Sequence, residues 1–228
     1  MILVIDRRQQ DAATIASMLY YMGVLSCVST PSDAVSKISN RYKAVIITHP
    51  EKTYITSEFI KTLKAYSIDT PIFALCEDEA SFREEYPERA VLFDMIYTTH
   101  TYSSTLLEKI NDYRKRRALS PIGEYRLAGI DASANLKTPM LFGKELKLTK
   151  TELMILRYLI TLYPVLAPAK QIIANSFKPG RYPELASVRT HISAINKKFF
   201  ELSGRYWISA EPGVGYRILT PELFTQGV

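Results

Sequence analysis

Between Leu185 and Leu202 the chain carries side chains suited to reading a polyanion. Val188, Ile192, Ile195 and Phe199 recur at i, i+4, i+7 and i+11, the spacing of one buried helical stripe. At about 100° per residue, Arg189, Ser193, Asn196 and Lys197 fall on the opposite side, with Thr190 at its margin. That outer face has long cations and small hydrogen-bonding groups and no acid. Such groups suit a helix lying in the major groove of duplex DNA, where they reach base edges and flanking phosphates. An ordinary amphipathic surface helix also turns a polar face outward, so this helix by itself leaves both readings open.

Other chemistry finds little support. The 3 histidines are scattered and no nucleophile–base pair is evident, so no enzymatic activity is expected. Cys27 and Cys76 lack metal-ligand spacing and make no disulfide framework; they read as reduced thiols of a cytoplasmic protein, with no metal and no cofactor. No apolar run approaches the roughly 18 residues of a membrane span, and the N-terminus lacks the basic start of a signal peptide. Charge is distributed unevenly. Residues 1–118 hold 15 Lys+Arg against 15 Asp+Glu, and 119–228 hold 14 against 8, so the whole net charge of +6 lies in the second half. A basic half joined to a neutral half suggests two domains, one facing a polyanion.

The elements that must position these residues follow two grammars. In the first half, short apolar runs at Ile2–Ile5, Val24–Val28, Ala44–Ile47, Pro71–Leu75 and Met95–Tyr97 predict strands. Helical patterns alternate with them over Asp11–Met22, Ser32–Arg41, Ser57–Tyr66, Glu79–Glu88 and Ser104–Arg117, with Asp11 and Ser32 as N-caps and Gly23 as a C′ glycine. Five strands alternating with five helices imply a doubly wound α/β domain with a parallel sheet, residues 1–118. A linker over 119–123 contains Pro121 and Gly123. Residues 124–228 then open on short strands at Tyr125–Ile130, Met140–Phe142 and Glu145–Leu148. Helices follow at Thr151–Leu162, Ala169–Asn175 and Leu185–Leu202, and a hairpin at Trp207–Ser209 and Gly215–Leu219 closes the chain. Thr149 and Glu152 form a capping box before the first of these helices.

Three segments together resemble the OmpR/PhoB family of response regulators: Leu148-Thr149-x-x-Glu152, Ser187-Val188-x-x-His191-Ile192-Ser193, and Glu211-Pro212-Gly213-Val214-Gly215-Tyr216-Arg217. The resemblance covers the whole chain. It implies a flavodoxin-like receiver domain followed by an α+β winged helix-turn-helix domain, and hence a sequence-specific, double-stranded-DNA-binding transcription regulator of a two-component system. It makes 185–202 the recognition helix and Ser209–Tyr216 the wing. Arg189, Thr190, Ser193, Asn196 and Lys197 become candidate DNA contacts, with Lys198 and Arg217 as phosphate contacts or structural residues. His191 is expected to be packed. Ser176–Pro183 corresponds to the loop that can face RNA polymerase. The chain departs from the family at Ala194 and Asn196, where arginines are frequent.

The resemblance also exposes an altered receiver pocket. A working receiver holds a divalent cation with an acidic pair and an aspartate; that aspartate attacks phosphorus, while a Thr/Ser and a Lys steady the transferred group. Here Asp6 meets Arg7 in the acidic pair, Thr48 stands at the aspartate, Cys76 at the Thr/Ser and Thr98 at the lysine. A threonine without a base is a poor nucleophile and forms no acyl phosphate, so action independent of aspartyl phosphorylation is expected. The remaining role implied is homodimerisation through the face carrying Asp94, Lys109, Arg114 and Arg116, on tandem half-sites in DNA. The alternative is an adaptor, or a ligand- or redox-sensing regulator with Cys76 near Thr48, whose winged helix mainly contacts another regulator or RNA polymerase.

Overall fold

A computed structural model of the chain describes residues 1–38, 42–66, 70–99, 103–117, 119, 122–181 and 183–220. Arg41, Ala118, Ser120, Pro121 and Tyr182, on which parts of the helix, linker and loop assignments above fall, lie outside the described residues. The chain divides into two compact units, Met1–Ile122 and Gly123–Val228.

In the first unit the order is β1 (Ile2–Ile5), α1 (Gln9–Tyr21), β2 (Ser26–Ser29), α2 (Pro31–Lys37), β3 (Ala44–Thr48), α3 (Ser57–Tyr66), β4 (Ile72–Cys76), α4 (Glu79–Glu85), α5 (Pro87–Ala90), β5 (Met95–Thr98) and α6 (Ser103–Arg116). All strand pairings are parallel, in the order β2-β1-β3-β4-β5. Every residue of β1, β3 and β4 is buried, because helices cover both faces of a parallel sheet and its strands need no polar alternation. This is the doubly wound α/β fold, whose crevice opens at the carboxyl ends of the strands.

Some element ends shift from the sequence expectation for local reasons. The helix expected over 79–88 is two pieces: Pro87 has no N–H and drives Tyr86 out of the helical region, to φ −132, ψ 53. Helix α1 starts before Asp11, which lies in its first turn, and α2 starts at Pro31 with Thr30 as N-cap. Gly23, at φ 76, follows the end of α1 as expected.

The second unit opens with a four-stranded antiparallel platform of β6 (Arg126–Leu127), β7 (Ile130–Asp131), β8 (Met140–Leu141) and β9 (Lys144–Glu145). The single strand expected over 125–130 is a hairpin, turned by Ala128 at φ 48 and Gly129 at φ 90, the positive pair of a tight primed turn. The Phe142 ring sits where a Cβ on Gly129 would be, so glycine is required there on two counts. Then come α7 (Lys150–Leu162), α8 (Ala169–Ser176), α9 (Leu185–Ser203) and the hairpin β10 (Ile208–Glu211) and β11 (Gly215–Ile218).

Three devices lock this unit. The capping box at the start of α7 is present: Glu152 N–H donates to Thr149 Oγ1 at 3.3 Å, and Thr149 N–H donates to Glu152 Oε2 at 2.7 Å. The buried Arg157 of α7 donates to the carbonyls of Ala132 (2.6 Å) and Ser133 (3.0 Å), tying the helix to the platform. Finally, Ala167, between α7 and α8, bridges Tyr216 of β11 through bonds of 2.7 and 3.0 Å. Gly215 makes that approach possible, since a Cβ there would run into the Ala167 carbonyl.

Candidate nucleic-acid interface and the altered acidic pocket

Helix α9 buries Val188, Ile192, Ile195 and Phe199, the stripe read from the spacing. Arg189, Thr190, Ser193 and Lys197 are exposed on its other side. The helix ends at Gly204, whose φ of 69 lets the chain turn back toward Trp207. Trp207 stacks on Phe199 with centroids 5.5 Å apart and donates its indole N–H to Ser203 Oγ at 2.9 Å, fixing the hairpin beside α9. Between α9 and the hairpin runs a groove of about 680 Å³, with Lys170, Arg189, Ser193, Glu211 and Gly213 among its walls.

Two of the expected DNA contacts are committed elsewhere. Asn196 is not a free reader. Its Oδ1 accepts the N–H groups of Trp207 (3.1 Å) and Ile208 (2.9 Å), and its Nδ2 donates to the Ile208 carbonyl at 2.7 Å. The amide therefore clamps the start of β10 to α9. Lys198 donates to Glu152 Oε2 at 2.6 Å and joins α9 to the α7 capping box, a structural role. Arg217, half-buried on β11, lies 3.2 Å from Glu211 across the hairpin. Thr190 Oγ1 bonds back to the Ala186 carbonyl at 3.3 Å. His191 packs edge-on against Phe177 at 5.6 Å, at the start of the 176–183 loop.

Burial opposes the charge of the Glu152 carboxyl, but the bonds from Lys198 and Thr149 outweigh it and hold the group below the usual carboxylate range.

At the carboxyl end of the first unit's sheet, Asp6, Thr48, Cys76 and Thr98 come together, each at or just beyond the end of its strand. Asp6 is 0% exposed. Its Oδ2 takes the Thr48 hydroxyl, and its Oδ1 accepts the Arg8 N–H at 2.7 Å and the Tyr54 hydroxyl at 3.4 Å. Burial, with the Asp6 charge beside it, raises the Tyr54 pKa, so the phenol remains a donor. Arg7 points outward, its guanidinium 5.9 Å from the Tyr54 ring. The Cys76 thiol is buried and pushed up to about 11, first by that burial and then by the Glu79 carboxylate.

Two further side chains border this pocket. His49, at φ 51, and Asp11, on the first turn of α1, bring ligand atoms within 4.8 Å of one another and of Asp6. Their positions depend on a turn and a helix start, which spacing in the chain does not reveal.

The expected pairing face also needs correction. Arg114 is 5% exposed and donates inward to the Lys43 carbonyl, so it is no surface partner. Asp94 accepts the Ile72 N–H and the Tyr113 hydroxyl, both at 2.8 Å, and has Lys64 at 3.6 Å. Lys109 and Arg116 are exposed, with Lys109 placed 5.2 Å from the Tyr97 ring centroid.

Comparison with known proteins places part of the chain. Residues 143–218 match the family described as "Transcriptional regulatory protein, C terminal". No curated protein matches the chain. Among solved structures, a streptococcal redox sensor of a family evolved from two-component response regulators is similar at 16% identity over 96% of this chain and 98% of that one, with a TM-score of 0.41. The response regulator DrrB of Thermotoga maritima, an OmpR/PhoB homologue, shares 19% identity over 95% of this chain and 97% of its own, with a TM-score of 0.39. The DNA-binding domain of the response regulator AdeR, in complex with an intercistronic region, shares 22% identity over 42% of this chain and 99% of its own, with a TM-score of 0.38.

Proposed function

We propose, from the match of residues 143–218 to the C-terminal domain of transcriptional regulatory proteins, that the chain is a sequence-specific DNA-binding transcription regulator that acts without aspartyl phosphorylation. The observation that carries this is the row Arg189–Ser193–Lys197, exposed on α9 beside the hairpin, with Glu201 of the last turns and Glu211 of the hairpin lining the same surface. Arg189 reaches base edges or phosphates, Ser193 offers a short donor and acceptor, and Lys197 neutralises phosphate. Phosphate independence is supported by the pocket. Thr48 stands at the nucleophile position, and its hydroxyl is engaged by the carboxylate of Asp6. The protein works in the cytoplasm as a homodimer on tandem half-sites, the first unit serving as the pairing module through a face that includes Lys109 and Arg116. The 176–183 loop is available to RNA polymerase.

The test begins with genome-wide mapping of bound DNA, followed by binding assays on a recovered site at several salt concentrations. Arg189→Ala and Lys197→Ala should each weaken binding by roughly 1–3 kcal/mol, and a lost phosphate contact should lower the salt slope by about one. Ile195→Ala should act through stability, costing about 2–5 kcal/mol. Unchanged affinity in both polar variants would remove α9 as the reading face. The adaptor alternative draws on the engagement of Lys198 by Glu152, which leaves one cation fewer facing outward, and on that of Asn196, which removes a hydrogen-bonding group. It predicts binding to a protein partner and only weak, sequence-independent affinity for DNA. A redox role for Cys76 is disfavoured, because a thiol held near 11 is protonated at neutral pH and the thiolate is the reactive form.

A further inference from the structure

We propose that Asp6, Asp11 and His49 form a binding site for a divalent transition-metal ion. His49 Nε2 lies 3.4 Å from Asp11 Oδ2 and 3.9 Å from Asp6 Oδ2, and all three ligand atoms fall within 4.8 Å of one another. An ion about 2.0–2.2 Å from each nitrogen and oxygen spaces its ligands by roughly 3 to 4 Å, which this set meets with small side-chain adjustments. Among the described residues it is the only group of three or more His, Cys, Asp or Glu so arranged.

The surroundings hold the ligands in place. The Thr48 hydroxyl occupies one lone pair of Asp6 Oδ2 and leaves the other for a cation, while the Arg8 N–H and Tyr54 hydroxyl fix Oδ1. Behind the imidazole, His49 Nδ1 lies 3.5 Å from Glu51 Oε1. A carboxylate there can take the Nδ1 hydrogen once an ion occupies Nε2, the arrangement found behind metal-bound histidines. The other Glu51 oxygen is buried and has no hydrogen-bond partner among the described residues. Lys52 Nζ, 3.3 Å from Glu51 Oε1, shares that carboxylate, and the feature opposing the ion directly is Arg8, whose Nε lies 2.9 Å from Asp11 Oδ2. That ion pair is exposed and contributes little, so it opens when an ion enters.

The donor set decides the ion. One imidazole with two carboxylates suits zinc, manganese, iron or cobalt, whereas magnesium prefers oxygen alone and keeps several waters. The set also differs from the receiver pattern, which needs an acid at position 7 and an aspartate at 48. Only Asp6 belongs to both. The site stands independently of DNA binding by the second unit.

Full-length protein stripped with a chelator, then titrated with Zn²⁺, Co²⁺ and Mg²⁺, tests this by calorimetry and by the visible ligand-field bands of Co²⁺. One zinc or cobalt ion per chain is expected, with magnesium far weaker. His49→Gln and Asp11→Asn should each weaken binding at least about tenfold, and Glu51→Gln about 10–100-fold, as removal of an outer carboxylate does elsewhere. Arg8→Ala should tighten it by removing the competing cation. Asp11 and Arg8 are partly exposed, so these two variants test the site without endangering the fold. Absence of saturable zinc and cobalt binding would overturn the proposal, as would binding unchanged in both His49→Gln and Asp11→Asn, or equal affinity for magnesium.

Discussion

The Asn196 amide uses one N–H and its carbonyl oxygen to hold three backbone groups at the start of β10. Asn196→Ala leaves two N–H groups and one carbonyl there without their partner, and each such buried group costs about 1–3 kcal/mol unless water replaces it. We expect a loss of at least about 2 kcal/mol in urea unfolding, against less than about 0.5 kcal/mol for Lys197→Ala. Equal stability of the two variants would return Asn196 to the reading face. Its position one residue from Lys197 made the two look alike in the sequence, because angular spacing gives the side of the helix and not the partner waiting there. Arg114 escaped for the same reason, since the Lys43 carbonyl lies far away in the chain, while the structural alternative read for Lys198 is the one its bond to Glu152 supports. The buried stripe of Val188, Ile192, Ile195 and Phe199 was legible because burial repeats with the helix period.

Helix α7 gains its start from the Thr149 hydroxyl and its tie to α9 from Glu152, so one carboxylate serves two elements. Because its folded pKa lies below its unfolded value, the stabilisation it gives is full above the ordinary carboxylate range. It is lost as pH falls through the lowered folded value. Glu152→Gln should therefore be less stable than the parent at neutral pH, and the difference should shrink with acidification below about pH 4. Thr149→Ala should cost about 1 kcal/mol, including at neutral pH. Urea midpoints between about pH 3 and 7 check both, and a gap between parent and Glu152→Gln that stays constant with pH would refute the linkage. Element types in the parallel sheet and the helix trio followed from pattern, while several boundaries did not. Pro87 split a helix whose apolar pattern ran on, and Ala128 adopted a positive φ that its residue type gives no reason to expect.

Each of the two units has its own buried core: Leu3, Ile46 and Phe73 in one, Leu156, Ile195 and Trp207 in the other. The second should therefore fold when expressed alone from residue 123. If the first unit is the pairing module, the intact chain should sediment as a dimer and bind two half-sites about 10–11 base pairs apart. The fragment should bind the same DNA much more weakly, since it loses the effective concentration that tethering supplies. Acetyl phosphate with magnesium should change neither result. A monomeric intact chain with the fragment's affinity would remove the pairing role.

The bridge between Ala167 and Tyr216 has a topological consequence. Helices α8 and α9 lie in the chain segment between those two residues, so two backbone hydrogen bonds close them into a non-covalent ring. Closing a loop of this size carries an entropic cost that grows only slowly with length, so the ring tolerates insertions in the 176–183 segment far better than any change at its seam. A side chain in place of Gly215 opens the seam and frees α9 and the hairpin from a shared anchor. The seam that anchors α9 and the hairpin thus rests on a glycine, because any side chain at 215 meets the Ala167 carbonyl.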